Sequence, residues 1–468
     1  MMKISLCTFR GQTRGGRASR RGGGAHTHTH TPARQMTEPE RKRARVDDGQ
    51  DGSDEPWVKD PAKYVNANDI VRLRFLGPTS DDSARHAPEF THQIYPPLGA
   101  IACAEEERPL GLEVCYAASN LELFYQLAGG STELHGAAED AIFTLAAAMP
   151  QPAASLAELG AVPELTSPAL SALGGELRAT YTLDGQPPSF EVYVAPLGAE
   201  APAERLRFHE RLQTLFRFYI ETSEAIDASD ERWRLLSVFE RDAGGAVRLV
   251  AACTLFRFSR WVGGKGAVSL LRLCQVVTLP PFRAKGHGGR LLDEVYRYAH
   301  AMGALEVTVE DPNDQMRFLR DLADVRGCIR DDLLTPADVS AGAPSAEAME
   351  AARATLPLTD EQLLRTHEMR THRLLLVAEA ALDADGCEAL RKPFRLRVKA
   401  RLNKKYKEEL DAMLSVAQLP SEQTQQEDTA PPPSRAELVE ERKKRLHELY
   451  MQTLAEYDAV LRRVALSA

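Results

Sequence analysis

The stretch VVTLPPFRAKGHGGRLLDEVYRYAHAMG, residues 276–303, passes from an apolar segment through a glycine-rich turn into a segment with apolar residues at helical spacing. This pattern predicts a strand, a turn and an amphipathic helix, in that order. The start of a helix has N–H groups without partners and a partial positive charge, so a turn without bulky side chains lets an oxyanion approach. The glycines at 286, 288 and 289 therefore predict a phosphate-binding turn.

The spacing of this turn narrows the choice of ligand. Residues 283–288 follow the pattern R-x-x-G-x-G. That pattern is neither the dinucleotide fingerprint G-x-G-x-x-G nor the P-loop, which ends in Gly-Lys-Ser/Thr. An ordinary glycine-containing helix start remains the alternative. A second strand-like segment, ALEVTVEDP at 304–312, follows the helix and ends in carboxylates. In this order of elements a cofactor pyrophosphate lies on the helix start while the rest of the cofactor runs along a strand.

Length and charge indicate several folded units with an acidic surface. The chain has 468 residues, enough for two or three domains. Its net charge is -9, but residues 1–45 carry 11 basic and 2 acidic side chains, which leaves 47 basic against 65 acidic in the remainder. Phosphate contacts need clustered Lys and Arg, so an acidic body argues against direct nucleic-acid binding and suits a cationic partner such as a basic peptide.

Cysteine usage and hydropathy exclude other classes of protein. The seven cysteines contain no C-x-x-C pair, which favours reduced, buried thiols in an intracellular protein. No apolar run reaches the roughly 18 residues of a membrane span, and the start lacks the pattern of a secretory signal. The HTHTHT run at 26–31 is predicted to be low-complexity sequence rather than a metal site, because nothing nearby completes the coordination.

Composition divides the chain into six segments. Residues 1–55 are predicted to be a disordered basic tail, in which RKRAR at 41–45 is either a nuclear-import signal or a solvated charge run. The remaining segments are an α+β amino-terminal domain at 56–200, a domain at 201–328 that contains the glycine turn, a helical carboxy-terminal domain at 329–415, a linker at 416–434 and a helix at 435–468.

The order of strand, glycine turn, helix and strand resembles the acetyl-coenzyme A site of the GNAT acetyltransferases. Their signature Arg/Gln-x-x-Gly-x-Gly/Ala matches Arg283 to Gly288. Longer blocks resemble the catalytic subunit of the type B histone acetyltransferases, collinearly from roughly residue 60 to 375. They are PEFTHQIY at 88–95, HERLQTLFRFYIETSEAIDASDERW at 209–233 and VEDPN at 309–313. The family's Phe-Ile-Glu-Thr reads Tyr-Ile-Glu-Thr at 219–222.

The resemblance implies an α+β fold: a GNAT mixed sheet with flanking helices, preceded by a smaller α+β domain and followed by a helical region. It also implies site residues. Backbone groups of Val276, Val277 and Thr278 would pair with the pantetheine arm and polarise the thioester. Arg283, Ala284, Lys285, Gly286, His287, Gly288 and Gly289 would cradle the pyrophosphate, and Asn313 would also bind the cofactor. Glu310 would be the general base, with Glu221 and Asp311 as acidic helpers. Phe256, Arg257 and Phe258 would replace a tyrosine-rich acceptor-binding patch.

The expected reaction is transfer of acetyl from acetyl-CoA to lysine ε-amines of free core histones, with no metal. A lysine ammonium of pKa about 10.4 must lose a proton before it attacks a thioester. A carboxylate at a strand end takes that proton, and a ternary complex makes a covalent intermediate unnecessary. The alternative for Glu310, Asp311 and Pro312 is a purely structural role, as a turn and a helix cap. Cys274 is expected to be a buried structural thiol. His287 is expected to contribute its backbone to the phosphate-binding turn rather than to act as a general base.

The resemblance further implies the histone H4 tail or an H3–H4 pair as acceptor, a WD40-repeat histone chaperone as partner, and location in nucleus and cytoplasm. Two other functions stay open. One is a GNAT enzyme that acetylates another amine, such as a protein N-terminus or a small molecule. The other is a non-catalytic histone-binding scaffold that keeps the cofactor turn only as structure.

Overall fold

The computed structural model describes residues 56–77, 83–108, 110–128, 136–161, 165–183, 185–264, 266–338, 342–380, 382–415 and 434–465. All of them belong to one compact unit that begins at Glu55. The predicted tail at 1–55, including RKRAR and the histidine run, lies outside the described residues, as does the predicted linker apart from Ser434. Among the described helices, none is long and apolar enough to cross a membrane.

Eleven strands and thirteen helices are described, with two short 3-10 segments at 105–107 and 280–282. The strands are β1 (Tyr64–Asn66), β2 (Val71–Leu76), β3 (Ala100–Ala102), β4 (Leu112–Ala117), β5 (Leu123–Leu127), β6 (Glu176–Leu183), β7 (Gln186–Pro196), β8 (Trp233–Arg241), β9 (Val247–Val262), β10 (Gly266–Thr278) and β11 (Val307–Val309). The helices are α1 (Pro56–Lys59), α2 (Ala67–Ile70), α3 (Ala137–Ala148), α4 (Leu156–Gly160), α5 (Ser167–Gly174), α6 (Ala203–Tyr219), α7 (His287–Ala301), α8 (Asp314–Arg330), α9 (Ala346–Thr355), α10 (Asp360–Glu379), α11 (Ala384–Lys405), α12 (Lys407–Ser415) and α13 (Arg435–Ala465).

The central sheet has six strands in the order β11-β10-β9-β8-β7-β6. Strands β6 to β10 pair antiparallel with their neighbours, while β10 and β11 are parallel, because α7 carries the chain back across the sheet between them. Smaller sheets in the amino-terminal part have the orders β2-β4-β5 and β1-β3. The mixed sheet with flanking helices, the smaller amino-terminal sheets and the helical carboxy-terminal region confirm the predicted α+β fold.

The central sheet continues across the boundary predicted at residue 200. Strands β6 and β7 precede that residue, and β7 pairs with β8 from Ser189 opposite Arg241 to Pro196 opposite Arg234. Strands β8 and β9 form a hairpin, and its turn needs a left-handed residue, supplied by Gly245 at φ +91°. The boundary predicted at residue 328 falls inside α8. The first boundary therefore lies in a loop but divides the central sheet, and the second divides a helix.

The main core lies between the central sheet and the helices that cover it. Apolar residues at helical spacing form one face of α6, which buries Phe208, Leu212, Leu215 and Phe216. Helix α7 buries Leu291, Leu292 and Val295 against the sheet, as its spacing predicts. The same packing fixes the start of α7 at the end of β10.

The carboxy-terminal helices pack on α8. Leu322 and Val325 of α8 share an apolar cluster with Met369 of α10 and with Tyr457 and Val460 of α13. Beside this cluster the buried Asp321 carboxylate of α8 accepts two hydrogen bonds of 2.9 Å from the Arg365 guanidinium of α10. The helical region is thus part of the support of α8, which borders the glycine turn.

Candidate active site

Strand β10 has an open edge at its carboxyl end. Its Leu271 N–H donates to Glu306 O, and its Leu273 O accepts from Glu310 N–H, so these residues face β11. A bulge at Cys274 then shifts the register against β9, where Gln275 pairs with Thr254. Because backbone groups alternate along a strand, Val276 and Thr278 turn their N–H and C=O groups away from β9, on the side where β11 has already ended.

Val277, which lies between them in the chain, is also predicted to pair with the pantetheine arm. It pairs instead with Ala252 of β9 and uses its backbone groups in the sheet. The backbone that can accept an extended ligand is therefore that of Val276 and Thr278. The carbonyl of Thr278 already accepts a hydrogen bond of 3.0 Å from Arg283 Nε. Its N–H and both backbone groups of Val276 face the open side. An extended chain bearing amide groups is the ligand that such an edge binds.

The turn after β10 has the geometry of an anion site. Gly286 is the N-cap of α7 in the left-handed conformation, with φ +90°, and has no side chain to cap the helix. The N–H groups of His287, Gly288 and Gly289 therefore form an uncapped first turn. Ala284 is also left-handed, with φ +60°, a conformation that costs about 1–2 kcal/mol for a residue with a Cβ.

The side chains of the turn mostly bind other parts of the protein. The Arg283 guanidinium lies over the Tyr219 ring, 4.5 Å from its centroid, and forms an ion pair with Glu89. Lys285 Nζ donates to Pro281 O at 2.8 Å. These contacts fix the conformation of the turn. The groups that remain available to an anion are the backbone N–H groups.

His287 is a buried side chain at the base of the turn. It is 1% exposed, packs 4.5 Å from the Phe190 ring centroid, and its Nδ1 lies 2.8 Å from the Tyr181 hydroxyl. Burial, assisted by the charges of Lys285 and Arg290, lowers the pKa of His287 to about 4. The imidazole is neutral at physiological pH and faces the core, away from any acceptor amine.

A basic groove of about 940 Å³ runs from the turn along the outer face of α7 and α8. Its polar lining is dominated by cations, and Leu319 and Leu322 are among its apolar residues. The basic residues that line it are Lys285, Arg290, Arg297, His300, Arg326 and Arg330, against the single carboxylate of Asp293. In a chain with an acidic body, this surface suits a polyanionic ligand that begins at the turn.

Glu310 stands across the open edge from Val276. Its backbone is fixed at the end of β11 by the 2.9 Å bond from its N–H to Leu273 O. The Glu310 carboxylate lies 3.6 Å from Arg272 Nη1, and its side chain is 47% exposed. An exposed pair at this distance is weak, about 0–1 kcal/mol, so an incoming ammonium can displace the arginine. Arg272 is a neighbour that sequence reasoning missed.

The residues after Glu310 make a sharp turn into α8. Asp311 is left-handed, with φ +34°, which aspartate tolerates better than most residues. Asn313 is the N-cap of α8, and its Oδ1 accepts from Met316 N–H at 2.9 Å. Both the capping alternative and a ligand role are compatible with this geometry, because capping occupies the amide oxygen of Asn313 and leaves its NH₂ group to donate.

Glu221 lies on the loop that follows α6. Its carbonyl accepts hydrogen bonds from Gln93 Nε2 at 2.7 Å, and His92 Nε2 lies 3.1 Å away. Further along this loop, Gln275 of β10 binds Ser223 and Glu224. The backbone of Glu310 and the loop that follows Glu221 are thus both bonded to β10, at Leu273 and at Gln275.

The predicted acceptor patch is an aromatic pair on β9. The rings of Phe256 and Phe258 stack with centroids 6.5 Å apart. Arg232 lies over Phe256 at 4.7 Å and Arg272 over Phe258 at 5.1 Å, while the Arg257 side chain is exposed. The protein's own guanidinium groups therefore occupy cation sites on both rings.

Thiol and metal chemistry have little support in the described residues. Burial and the neighbouring Glu310 carboxylate raise the pKa of the Cys274 thiol, which makes it a poor nucleophile. Among the residues that the structure describes, no group of His, Cys, Asp and Glu is arranged to hold a metal ion.

Comparison with known proteins gives matches to histone acetyltransferases. Residues 63–221 match the family model described as "Histone acetyl transferase HAT1 N-terminus". The "Histone acetyltransferase type B catalytic subunit" of Rattus norvegicus is 29% identical over 242 residues, 50% of this chain and 54% of that protein. Over these stretches the chain is similar to type B histone acetyltransferase catalytic subunits.

Other type B subunits match over similar or shorter stretches. The Homo sapiens protein is 33% identical over 162 residues, 33% of this chain and 37% of that protein. The Mycosarcoma maydis protein is 30% identical over 246 residues, 49% of this chain and 50% of that protein. The chain thus spans about half of the length of these curated relatives, or less.

Among solved structures, similar chains include Arabidopsis thaliana NAA60 in complex with a bisubstrate analogue, with TM-score 0.22 and 14% identity over 28% of this chain and 81% of that one. An aminoglycoside acetyltransferase from a soil metagenomic sample, in complex with sisomicin, has TM-score 0.21 and 11% identity over 28% of this chain and 84% of that one.

Proposed function

We propose that this protein transfers the acetyl group of acetyl-CoA to lysine ε-amines of free core histones, with the histone H4 tail as the main acceptor. The observation that carries the proposal is the arrangement around the end of β10. An open strand edge at Val276 and Thr278 leads into the uncapped glycine helix start at Gly286, and Glu310 is bonded through its N–H to Leu273 O of the same strand. Relatives named type B histone acetyltransferases support the same activity.

The cofactor's thioester end would extend along the open edge of β10. The backbone groups of Val276 and Thr278 would pair with the pantetheine amides, and an N–H of this edge would polarise the thioester carbonyl. The first turn of α7 would hold the pyrophosphate, because its backbone N–H groups and the helix dipole stabilise negative charge. The basic groove beyond Gly289 accommodates the remaining phosphate charge.

The acceptor lysine reaches the thioester from the side of Glu310. Glu310, directly or through one water, accepts a proton from the ammonium, and the neutral amine forms the new N–C bond while the C–S bond breaks. Coenzyme A leaves as the thiol after taking a proton. Holding both reactants in one ternary complex removes much of the entropic barrier, so the protein forms no covalent intermediate.

The acidic residues Glu221 and Asp311 draw the cationic tail toward the cleft, and the pair of Phe256 and Phe258 supports its backbone. Because Arg232 and Arg272 already lie on these rings, a tail lysine or arginine exchanges with them rather than adding to them. An H3–H4 pair is the proposed form of the acceptor, presented by a WD40-repeat histone chaperone, in nucleus and cytoplasm.

An acetyl-transfer assay on free core histones and on nucleosomes, with mass spectrometry of the products, tests this function. We expect acetylated lysines on free H4 and a much lower rate on nucleosomes. Acetylation of protein N-termini in preference to internal lysines, in a matched peptide panel, would favour the broader amine acetyltransferase. Full histone binding without any turnover would favour the non-catalytic scaffold.

A further inference from the structure

Gln275 is a buried polar side chain in β10, one residue before Val276. It is 5% exposed, and it directly follows the bulge at Cys274. The same bulge that turns Val276 toward the open edge therefore places this amide in the core. An amide in the core is costly unless its donors and acceptors are all bonded.

All four hydrogen-bonding positions of the Gln275 amide are used. Its Oε1 accepts from Gln213 Nε2 of α6 at 3.1 Å and from Thr254 Oγ1 of β9 at 3.2 Å. Its Nε2 donates to Ser223 Oγ at 3.1 Å and to Glu224 O at 2.8 Å. A glutamine offers two donors and two acceptor sites, so this network saturates it. Gln275 thereby joins a helix, a strand and a loop.

The loop that Gln275 binds is the one that carries Glu221. That residue is exposed, but its carbonyl is bonded to Gln93, and two residues later Ser223 is buried against Gln275. The loop is thus held at two points, one on the amino-terminal part and one on β10. An exposed carboxylate on a loop keeps a fixed position only if the backbone on both sides of it is anchored.

We infer that Gln275 is a positioning residue for acetyl transfer: it anchors the 221–224 loop, and with it Glu221, to the strand that would bind the thioester. This inference rests on the proposed function. It assigns Gln275 no contact with the acetyl group or the acceptor, since its bonds all go to Gln213, Ser223, Glu224 and Thr254. Its effect is on where the acidic side of the cleft lies relative to Val276.

The test compares Gln275→Met with Thr214→Val in the full chain. Methionine keeps the approximate volume and removes both bonds to the loop. Thr214 is a buried residue of α6 whose hydroxyl lies 2.7 Å from Tyr116 Oη and donates to Arg211 O at 2.6 Å, so its substitution removes two hydrogen bonds, neither of which involves the loop. We expect kcat/KM for an H4 peptide to fall about 10- to 100-fold in Gln275→Met, the scale of a misplaced group, with unchanged acetyl-CoA affinity. Thr214→Val should stay within about threefold of the wild type, since a buried bond far from the loop changes stability rather than geometry.

A double-mutant cycle separates positioning from a general structural role. If Gln275 acts by placing Glu221, then Glu221→Gln costs less activity in the Gln275→Met background than in the wild type. Additive losses would overturn the inference. Ser223→Ala removes the hydrogen bond between Gln275 and Ser223 by changing the loop instead of the strand. It should show the same coupling with Glu221→Gln, and it replaces Gln275→Met in the cycle if that variant does not fold.

Hydrogen exchange supplies a readout that does not depend on turnover. Gln275→Met should speed exchange of the amides at 221–225 at least tenfold relative to Thr214→Val, and unchanged protection would overturn the anchoring. If the wild-type protein acetylates no histone peptide, the proposed function fails, while exchange still decides whether Gln275 holds the loop.

Discussion

Replacing Glu310 by glutamine is the sharpest test of the proposed chemistry. The side chain is 47% exposed and its one ion pair, with Arg272, is 3.6 Å long, so the fold loses at most about 1 kcal/mol. Loss of a general base lowers rates by about 10²- to 10⁴-fold. We therefore expect a large loss of kcat near neutral pH together with a melting temperature close to that of the wild type.

The pH dependence of the variant distinguishes a lost base from a distorted site. A lysine amine of pKa about 10.4 is about 0.1% neutral at pH 7.5 and about 11% neutral at pH 9.5. Without a base the variant depends on this fraction, so its rate should rise about 90-fold over that range, far more than the wild-type rate. Initial rates on an H4 peptide at saturating acetyl-CoA measure both profiles. Glu440→Gln, an exposed carboxylate on α13, is the control.

A wild-type rate for Glu310→Gln at pH 7.5 would refute the assignment of the base. A loss of equal size at both pH values would refute it as well, since it would show damage to geometry rather than to proton transfer. In either case Glu221→Gln and Asp311→Asn, measured in the same way, would show whether another carboxylate accepts the proton.

Three further predictions concern the turn, the helical region and acid stability. Gly288→Val should weaken acetyl-CoA binding at least tenfold by calorimetry, because a Cβ at this position lies 3.3 Å from Leu319 Cδ2 and crowds the first turn of α7. Tyr457→Phe removes the buried hydroxyl that donates to Glu368 at 2.6 Å and should lower the free energy of unfolding by about 1–3 kcal/mol in urea titrations. Burial lowers the pKa of His209 to about 4, so its contribution to stability is complete above pH 6.5 and is lost as pH falls toward 4. His209→Gln should therefore reduce the loss of stability between pH 6 and pH 5 by about 1.2 kcal/mol.

Each of these predictions has its own control. Gly263→Val, in a hairpin turn where an added Cβ meets nothing within 4 Å, should leave acetyl-CoA affinity unchanged. Met451→Ala on the exposed side of α13 should change stability by less than about 0.5 kcal/mol. Asp324, whose buried carboxyl has a pKa raised to about 6, opposes the histidine effect in the same range, so Asp324→Asn should steepen the acid loss. If the free energy of unfolding of His209→Gln differs from that of the wild type by the same amount at pH 7 and at pH 5, the assignment of His209 is wrong.

Local sequence patterns predicted the elements of the cleft. The apolar run before the turn, the glycines and the helical spacing after it lie within 28 residues, and they form β10, the uncapped start and α7 as expected. Glu310 falls at the end of β11 because a parallel strand must follow the helix. These features depend on neighbours in the chain, which is why periodicity and turn chemistry suffice for them.

The finer geometry depends on contacts that are distant in sequence. The bulge at Cys274 decides which backbone groups face the cleft, and it is fixed by pairing with β9 and β11 rather than by the residues of β10. The Arg283 side chain finds Glu89, 194 residues away, and Gln275 finds Ser223. No spacing rule within the strand indicates such partners.

The amino-terminal part and the central sheet share hydrogen bonds as well as strands. Leu249 N–H of β9 donates to Ala118 O at 2.7 Å, and the N–H groups of Glu89 and Phe90 both donate to Phe218 O at the end of α6. Backbone hydrogen bonds from residues far upstream in the chain thus help to hold α6 and β9 in place.

A fragment designed from the predicted catalytic domain, beginning at residue 201, would therefore lose β6 and β7 and leave β8 as a bare edge of the sheet. An unprotected edge strand of apolar residues pairs with other copies, so this fragment should aggregate on expression. A soluble fragment needs to begin near Pro56, where the described amino-terminal helices start, and to retain α13 as a cover for α8. The smallest piece that can be purified is thus far larger than the piece that carries the chemistry.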